Sequence, residues 1–453
     1  METILLIIFV LGYLGIAMEH TVKVDKLIPA LGMMAFLWAI IAVNHLQVFE
    51  VDTVSRSLKP EHLEGILLHH LGKTAEILIF LIGAMTIVEI IDYFDGFSTI
   101  KTFIKSKNKS TLLWLFSTLA FILSAIIDNL TTTIVLITIL QKIINEKELR
   151  LWFAGLIVIA ANAGGAWSPI GDVTTTMLWI ANKTTAMGLV THVLLPSIAC
   201  YAIPVFIASR MKVFKGNIDV IDASDKKQSK ISAVMFYLGL AAILFVPIFK
   251  TATHLPPYVG MMLSLAIVAT FAEIFSKSKF SLTSLGDKPK SHHNPVHSSL
   301  SKIELPSILF FLGILMAVAA LESLGMLFHF AETLDNSVPK LGTELGATTV
   351  SDLVVILLGF GSAIIDNVPL VAASIGMFSI PMDEPAWHFI AYSAGTGGSM
   401  LIIGSAAGVV AMGMEKISFG WYLKNMTLLA FAGFIAGAIV FILLRNFVLN
   451  VPH

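Results

Sequence analysis

The chain has 453 residues, of which 56% are hydrophobic and 13% are charged, and its mean hydropathy is +0.86. Soluble domains carry roughly 25% charged residues, so this composition excludes an ordinary soluble domain and indicates a polytopic membrane protein. The net charge of −1 gives no reason to expect nucleic-acid binding, and the single cysteine, Cys200, excludes an intramolecular disulfide.

Apolar stretches long enough to cross a bilayer, which takes about 20 residues, follow one another along the chain. They predict ten spans, which begin near residues 3, 27, 76, 152, 189, 233, 258, 304, 386 and 421. The first stretch has Glu2 where a signal peptide has basic residues, so we expect an uncleaved span. The predicted fold class is therefore an all-α multi-pass membrane protein.

Two further stretches, residues 112–141 and 350–380, are too long for one ordinary crossing and are interrupted near the middle. Asp128 lies in the first interruption, and Asp366 and Pro369 lie in the second. Proline removes a backbone donor and disfavours helix just before it. We expect two re-entrant hairpins, which a bilayer tolerates only where the tip is covered by protein or lines a wet cavity.

The distribution of basic residues gives a topology for these segments. With ten crossings, two hairpins and an external N-terminus, 22 of the 29 Lys and Arg residues fall in cytoplasmic segments and 7 fall outside. This excess agrees with the positive-inside rule. In the same topology the two hairpins enter from opposite sides of the membrane, so the two halves are predicted to be inverted-topology repeats.

The string SAIIDN occurs at residues 124–129 and again at 362–367. Identical strings 238 positions apart indicate an internal repeat. Each hairpin is followed by a Gly-rich interruption of an apolar span, at residues 161–176 and 393–408, and these segments predict broken helices. The predicted division is an N-terminal scaffold with an external loop over 1–75, a first repeat over 76–232, spans and a cytoplasmic linker over 233–304, and a second repeat over 305–453.

Charged residues inside membrane spans are costly and indicate an ion or proton pathway. Asp128 and Asp366 are predicted to be the main proton-exchanging groups, with Asn129 and Asn367 beside them and Asp172 as a third carboxylate. Matched sites in two halves, built from broken helices, are typical of secondary transporters.

The broken segments contain no Lys or Arg, and they offer carboxylates, amides, hydroxyls and free carbonyls. Such a set favours a small hard cation over a dicarboxylate. Ser399 is a further hydroxyl in the second break. The supporting residues are predicted to be Thr131, Thr132, Asn162, Gly164, Gly165, Ser168, Thr174, Ser393, Thr396, Gly397, Gly398 and Ser405.

Each assignment has a structural alternative. The aspartates could cap the returning half-helices, a role that Asp favours. Thr131 could hydrogen-bond within its own helix, and the glycine pairs could allow close helix packing. An intramembrane aspartyl protease would also need two membrane aspartates, and residues 169–172 (PIGD) faintly resemble such enzymes, but duplicated Asp-Asn interruptions have no purpose there.

The paired SAIIDN strings, the segment GGAWSPIGD at 164–172 and the stretch EIID at 89–92 together resemble the NhaD-type sodium/proton antiporters of the ion transporter superfamily. The resemblance covers nearly the whole chain. It implies that Na⁺ or Li⁺ leaves the cytoplasm in exchange for protons, with no cofactor. It also implies a homodimer in the lipid bilayer, a transport domain that carries both hairpins in an elevator motion, and a bacterial inner membrane.

In sodium-coupled members of the superfamily, each hairpin tip shares a sodium site with the break that follows it. The resemblance therefore implies one Na⁺ site at Asp128, Asn129 and Asp172 and a counterpart in the second half. Asp172 corresponds to Ser405, so the second site is poorer in ligands. A sodium-coupled carboxylate carrier or an arsenite carrier of the same superfamily stays open as an alternative.

Overall fold

The computed structural model describes residues 1–17, 23–52, 57–103, 106–218, 229–283, 295–303, 305–327, 329, 339, 350–364 and 367–449. Over these residues the chain is almost entirely helical. The α-helices are α1 Glu2–Ala17, α2 Leu27–Val43, α3 Leu63–Tyr93, α4 Lys109–Ile127, α5 Asn129–Ile143, α6 Lys147–Gly165, α7 Val173–Ile180, α8 Ala186–Ser209, α9 Lys230–Thr253, α10 Pro257–Thr283, α11 Pro295–Leu300, α12 Leu305–Ser323, α13 Asp352–Ile364, α14 Asn367–Met377, α15 Pro385–Gly397, α16 Ala406–Glu415, α17 Phe419–Asn425 and α18 Thr427–Leu444.

Seven helices in the described part of the chain are long and apolar enough to cross a membrane, namely α3, α4, α8, α9, α10, α12 and α18. The chain is therefore an all-α, multi-pass membrane protein, as its composition predicts. Short 3₁₀ segments lie at Gly96–Phe103 and Lys212–Phe214, and a π-helical turn at Arg445–Leu449 follows α18.

Two details differ from the sequence prediction. Helix α3 has 31 residues and begins at Leu63, well before residue 76, because its first turns carry His, Lys and Glu and so escape a hydropathy scan. Strands β1 Val48–Asp52 and β2 Ser57–Glu61 form a small antiparallel sheet in which Val48 faces Glu61. Phe49 and Val51 alternate with Glu50 and Asp52, which is a β pattern.

Each of the two predicted hairpin segments contains two helices in the described residues. Helices α4 and α5 are separated by the single residue Asp128, so the chain reverses there. Helices α13 and α14 have 13 and 11 residues, about 20 and 17 Å at 1.5 Å per residue. Neither reaches across a hydrocarbon core of about 30 Å, which suits a segment that turns back inside the membrane.

Each hairpin is followed by a helix that stops and restarts. Helix α6 ends at Gly165 and α7 begins at Val173, while α15 ends at Gly397 and α16 begins at Ala406. The glycine pairs thus end the first half-helices, and the irregular backbone follows them.

The helices pack in two groups. Helices α1, α2, α3, α9, α10 and α12 pack on one another, and the hairpins and broken helices pack together with α8 and α18. Within the second group the halves interlock, since α5 packs on α16 and α14 packs on α7. This interlocking brings the tip of each hairpin close to the break of the opposite half.

Candidate functional site

Asp172 lies where both hairpin tips meet the first helix break. Its side chain is 3% exposed and caps α7, with Oδ1 accepting from the Thr174 backbone N at 3.0 Å. Its Oδ2 accepts from Nδ2 of Asn129 at 2.8 Å and from Nδ2 of Asn367 at 3.2 Å. Because these asparagines begin the returning helix of each hairpin, one carboxylate connects the two tips.

Asn162, in the last turn of α6, extends this network to the second break. Its Oδ1 accepts from Nδ2 of Asn129 at 3.0 Å. Its Nδ2 donates to Oγ of Ser399 at 2.9 Å and to Oγ of Ser405 at 2.8 Å. All of these side chains are buried, so a continuous polar network joins four segments that are far apart in sequence.

Asp128 has an unusual backbone at the tip of the first hairpin. Its φ of 79° and ψ of 162° lie in a region that is essentially confined to glycine and costs on the order of 1–3 kcal/mol. Its carboxylate caps α5 by accepting from Thr131 N at 2.7 Å and from Thr131 Oγ1 at 2.9 Å. Strained residues cluster at ligand-binding sites, and the strain sets Asp128 apart from an ordinary cap.

A cavity of about 90 Å³ lies between the two groups of helices and reaches the network. Asp128, Asn129, Asp172 and Asn367 line it from the hairpin side. The opposite wall belongs to the other group, with Phe80, Leu81, Ala84, Met85, Val88, Ile243, Met261 and Phe311.

The cavity wall also includes Lys26 and Ser307, near the starts of α2 and α12. Both residues are partly exposed and lie at the ends of these helices that the sequence predicts to be cytoplasmic. Nζ of Lys26 lies 4.5 Å from the centroid of the Phe310 ring.

The two halves use the same local contacts behind the tips. Ser124 Oγ donates to the Ala161 carbonyl at 2.6 Å, and Ser362 Oγ donates to the Ala394 carbonyl at 2.7 Å. In both cases the serine of an SAIIDN string ties the hairpin to the broken helix that follows.

Close helix packing explains the paired glycines at the ends of α6 and α15. A Cβ on Gly164 would overlap the backbone carbonyl of Phe121, and a Cβ on Gly397 would overlap that of Gly359. Both contacts join a hairpin helix to its broken helix. Their neighbours Gly165 and Gly398 likewise lie against the backbone of the two breaks.

The other predicted residues with hydroxyl groups fall into two sets, according to whether the hydroxyl has a hydrogen-bond partner. Thr396 Oγ1 donates to the Tyr392 carbonyl of its own helix at 2.6 Å, and Ser168 Oγ accepts from Ile170 N at 3.4 Å, so both have local roles. Among the predicted residues, Thr132, Thr174 and Ser393 have buried hydroxyls without a hydrogen-bond partner, which is unusual because buried polar groups usually have partners.

Asp366, the predicted counterpart of Asp128, lies outside the described residues. Sequence reasoning missed Lys26, because a basic residue before an apolar span indicates only topology. The sequence does indicate Ser399 as a further hydroxyl, and the structure places that hydroxyl in the polar network, where it accepts from Asn162.

The family described as "Citrate transporter" (CitMHS) matches residues 5–390 of the chain. The chain belongs to the citrate transporter family. "Sodium/proton antiporter 1" of Arabidopsis thaliana is 38% identical to it over 455 residues, covering 98% of this chain and 73% of that protein. "Na(+)/H(+) antiporter NhaD" of Vibrio cholerae is 30% identical over 462 residues, covering 97% of this chain and 91% of that protein.

Among solved structures, this citrate transporter family member is similar to the YdaH transporter of Alcanivorax borkumensis. The TM-score is 0.53 at 13% identity, and the alignment covers 93% of this chain and 97% of that one. A likeness at this identity supports the fold alone.

The family and the relatives confirm the resemblance to NhaD-type antiporters that the motifs indicate. They also establish the chain as a membrane transporter and not an enzyme, so the protease interpretation is discarded.

Proposed function

We propose that this protein exchanges cytoplasmic Na⁺ or Li⁺ for external protons. The observation that carries the proposal is the buried network in which Asp172 accepts amide donors from both hairpin tips. Its other members are amides and hydroxyls, and such oxygens are the ligands that small hard cations prefer. The names of the Arabidopsis and Vibrio relatives support the same pair of ions.

The cation binds on the cavity side of Asp172, with Asp128 and Asn129 as further ligands. Because both hairpin amides already donate to Oδ2 of Asp172, a cation at this oxygen displaces at least one of them. The displaced asparagine then offers its carbonyl oxygen to the ion. Cation binding is thereby coupled to the position of the hairpin tips.

Exchange follows from one carboxylate serving two ligands. A bare carboxylate is costly to bury, whereas a protonated one is neutral and a cation-bound one is compensated. If the mobile group of helices crosses only in the two compensated forms, each cycle trades a cation for protons. An inward proton gradient then drives Na⁺ out of the cell.

The cavity between the two helix groups supports an elevator motion. The group that contains the hairpins moves with the ion, and the group that contains α2, α3, α9, α10 and α12 stays fixed and forms the homodimer. Asp366, which follows the second SAII string in the sequence, acts as a further proton-exchanging residue.

A carboxylate carrier is the second candidate, favoured by the description of the family and by Lys26 in the cavity wall. A di- or tricarboxylate requires several positive groups around it. Lys26 stacks on Phe310, whereas the partners of Asn162 and the hairpin asparagines are neutral groups or a carboxylate. The network therefore favours a cation.

Everted membrane vesicles that report their internal acidity with a fluorescent dye separate these candidates. NaCl and LiCl should release accumulated protons in vesicles with the wild-type protein. KCl and citrate, added separately, test the alternative substrates. Asp172→Asn and Asp128→Asn should abolish the response, because asparagine keeps the helix cap but removes the charge. A response to citrate alone, or full Na⁺ response in both variants, would overturn the proposal.

A further inference from the structure

Trp179, in the last turn of α7, joins the two groups of helices. It belongs to the group that contains the hairpins (the hairpin group) and is 2% exposed. Its ring meets the Phe80 ring of α3 edge to face, with the centroids 6.4 Å apart. Nζ of Lys250 in α9 lies 4.6 Å from the centroid of the same tryptophan. One side chain of the hairpin group therefore contacts two helices of the other group (the scaffold group).

Lys250 also binds the C-terminal end of α7. Its Nζ donates to the Trp179 carbonyl at 2.9 Å and to Oδ1 of Asn182 at 3.4 Å. The last carbonyls of a helix have no partner within it and carry partial negative charge, so an ammonium group is favourable there. This contact between the groups must break before the hairpin group can move along the scaffold group.

Phe80 and Lys250 lie at the same end of the cavity. Phe80 lines the cavity on α3 and Ile243 lines it on α9, and Lys250 follows Ile243 by seven residues, about 10 Å of helix. Ser232 at the start of α9 donates to the carbonyl of Phe94 just after α3, so these two helices are antiparallel. The later turns of α9 therefore lie beside the earlier turns of α3, where Trp179 is inserted.

The opposite end of the cavity is the partly exposed one. Lys26 and Ser307 line it there, near the starts of α2 and α12. Helix α12 is also antiparallel to α3, because Met316, farther along α12, accepts from Thr74 in the first turns of α3. The start of α12 is consequently remote from Trp179. Within the described residues, one end of the cavity is partly exposed and the other is covered by a buried tryptophan.

Helix α7 connects this contact to the polar network at the hairpin tips. It has eight residues, about 12 Å at 1.5 Å per residue. Asp172 caps its first turn and Lys250 binds its last turn. A displacement of the hairpin tips and of Asp172 therefore reaches the contact with the scaffold group through one short helix.

We propose that Trp179 and Lys250 form a gate that closes this end of the cavity, and that Lys250 stabilises the conformation in which the opposite end is open. The inference rests on the proposed function, since it concerns the motion that carries the cation. When the hairpin group moves, the bond from Lys250 to α7 breaks, Trp179 leaves Phe80, and the cavity opens at the gate. Lys250 acts by position and does not touch the cation.

The accessibility of a single cysteine in the cavity wall from each side of the membrane tests the gate. Ala84→Cys supplies it, at a partly exposed position of the wall, and Cys200→Ser removes the native cysteine, which is buried. A membrane-impermeant methanethiosulfonate is added without Na⁺ to sealed vesicles of either orientation. We expect this reporter protein to react faster from one side than from the other.

Adding Lys250→Met to the reporter should raise the slower of the two rates by about tenfold or more, because a hydrogen bond to a charged group supplies at least that ratio. Trp179→Leu should also raise it, since the ring contacts are lost while the backbone carbonyl is kept. Lys424→Met removes a charge from an exposed position at the end of α17 and should leave both rates unchanged.

A slower rate that is unchanged by both gate substitutions would overturn the inference and leave the proposed function standing. Equal rates from the two sides in the reporter would also overturn it, because the cavity would then have no closed end. If Lys250→Met does not yield folded protein, Trp179→Leu decides the question. A failure of the proposed function is recognised separately, by wild-type vesicles that show no Na⁺-dependent proton movement.

Discussion

Asp128 and Asp172 both cap a helix at a break, but only Asp128 has a positive φ, 79° against −149° for Asp172. Substitution by glycine should therefore affect them differently. Asp128→Gly removes strain of about 1–3 kcal/mol and loses roughly 1 kcal/mol through the cap and the entropy of glycine. We expect a change in unfolding free energy between about 0 and +2 kcal/mol.

Asp172→Gly relieves no strain, and it leaves the amides of Asn129 and Asn367 without their common acceptor. Hydrogen bonds to a charged group contribute about 1.5–3 kcal/mol each, so we expect a loss of about 3–6 kcal/mol. Both variants should lose Na⁺-dependent proton movement. Activity and stability thus separate at Asp128 and fall together at Asp172.

Thermal melting of the two purified variants, followed by fluorescence-detected size-exclusion chromatography, makes this comparison. Asp128→Gly should melt at or above the wild-type temperature, and Asp172→Gly should melt several degrees below it. Equal destabilisation by both substitutions would refute the reasoning, because it would mean that the backbone of Asp128 stores no strain.

Three further predictions concern parts of the fold around the site. Gly164→Ala should lower the yield of monodisperse protein, since the added methyl group overlaps a hairpin carbonyl, whereas Gly413→Ala, which has open space, should not; equal yields would contradict this. Asp352→Asn leaves the buried Arg445 without its charged partner and should lower the unfolding free energy by about 3–5 kcal/mol. Glu146→Gln, in an exposed pair with Lys109, should lower it by less than about 1 kcal/mol. Thermal melting measures both effects. At Asp383, burial raises the pKa but hydrogen bonds outweigh it and lower the pKa from 3.8 to about 2. The charged carboxylate of Asp383 therefore stabilises the fold at pH values above its ordinary pKa of 3.8. This stabilisation is lost as the pH falls through about 2. Asp383→Asn should accordingly lower the melting temperature at neutral pH, with a difference that disappears between pH 4 and pH 2; a constant difference would contradict the assignment.

The two interrupted stretches could be predicted from sequence, because Asp and Asn favour helix caps over helix interiors. The number of crossings stays a prediction. Some predicted spans fold as pairs of short helices, such as α6 with α7, since the break between them removes the continuous length that a crossing requires. Helix α1, with 16 residues, is also shorter than an ordinary span.

The arrangement within the site could be predicted only in part. Sequence identifies Asp128, Asn129 and Asp172 as polar residues of interrupted helices, and all three line one cavity in the structure. It cannot show that Asn367 reaches Asp172 across 195 positions, because that contact depends on how the two halves interlock. The ion-binding role of these residues remains a proposal, whereas the capping roles of both aspartates are present in the structure.

The role of Lys26 illustrates the same limit. A single lysine at the start of an apolar helix is ordinary in a membrane protein. Only the packing of α2 and α12 beside the hairpins places it in the wall of the cavity.

The central claim is that Na⁺ and protons compete for the same buried carboxylates, and the protons released when Na⁺ binds to the purified protein test it most directly. In weakly buffered solution, Na⁺ should release protons from the wild type but not from Asp172→Asn. The apparent Na⁺ affinity should weaken about tenfold for each unit of decrease in pH on the acidic side. Na⁺ binding without proton release, at an affinity independent of pH, would contradict the claim.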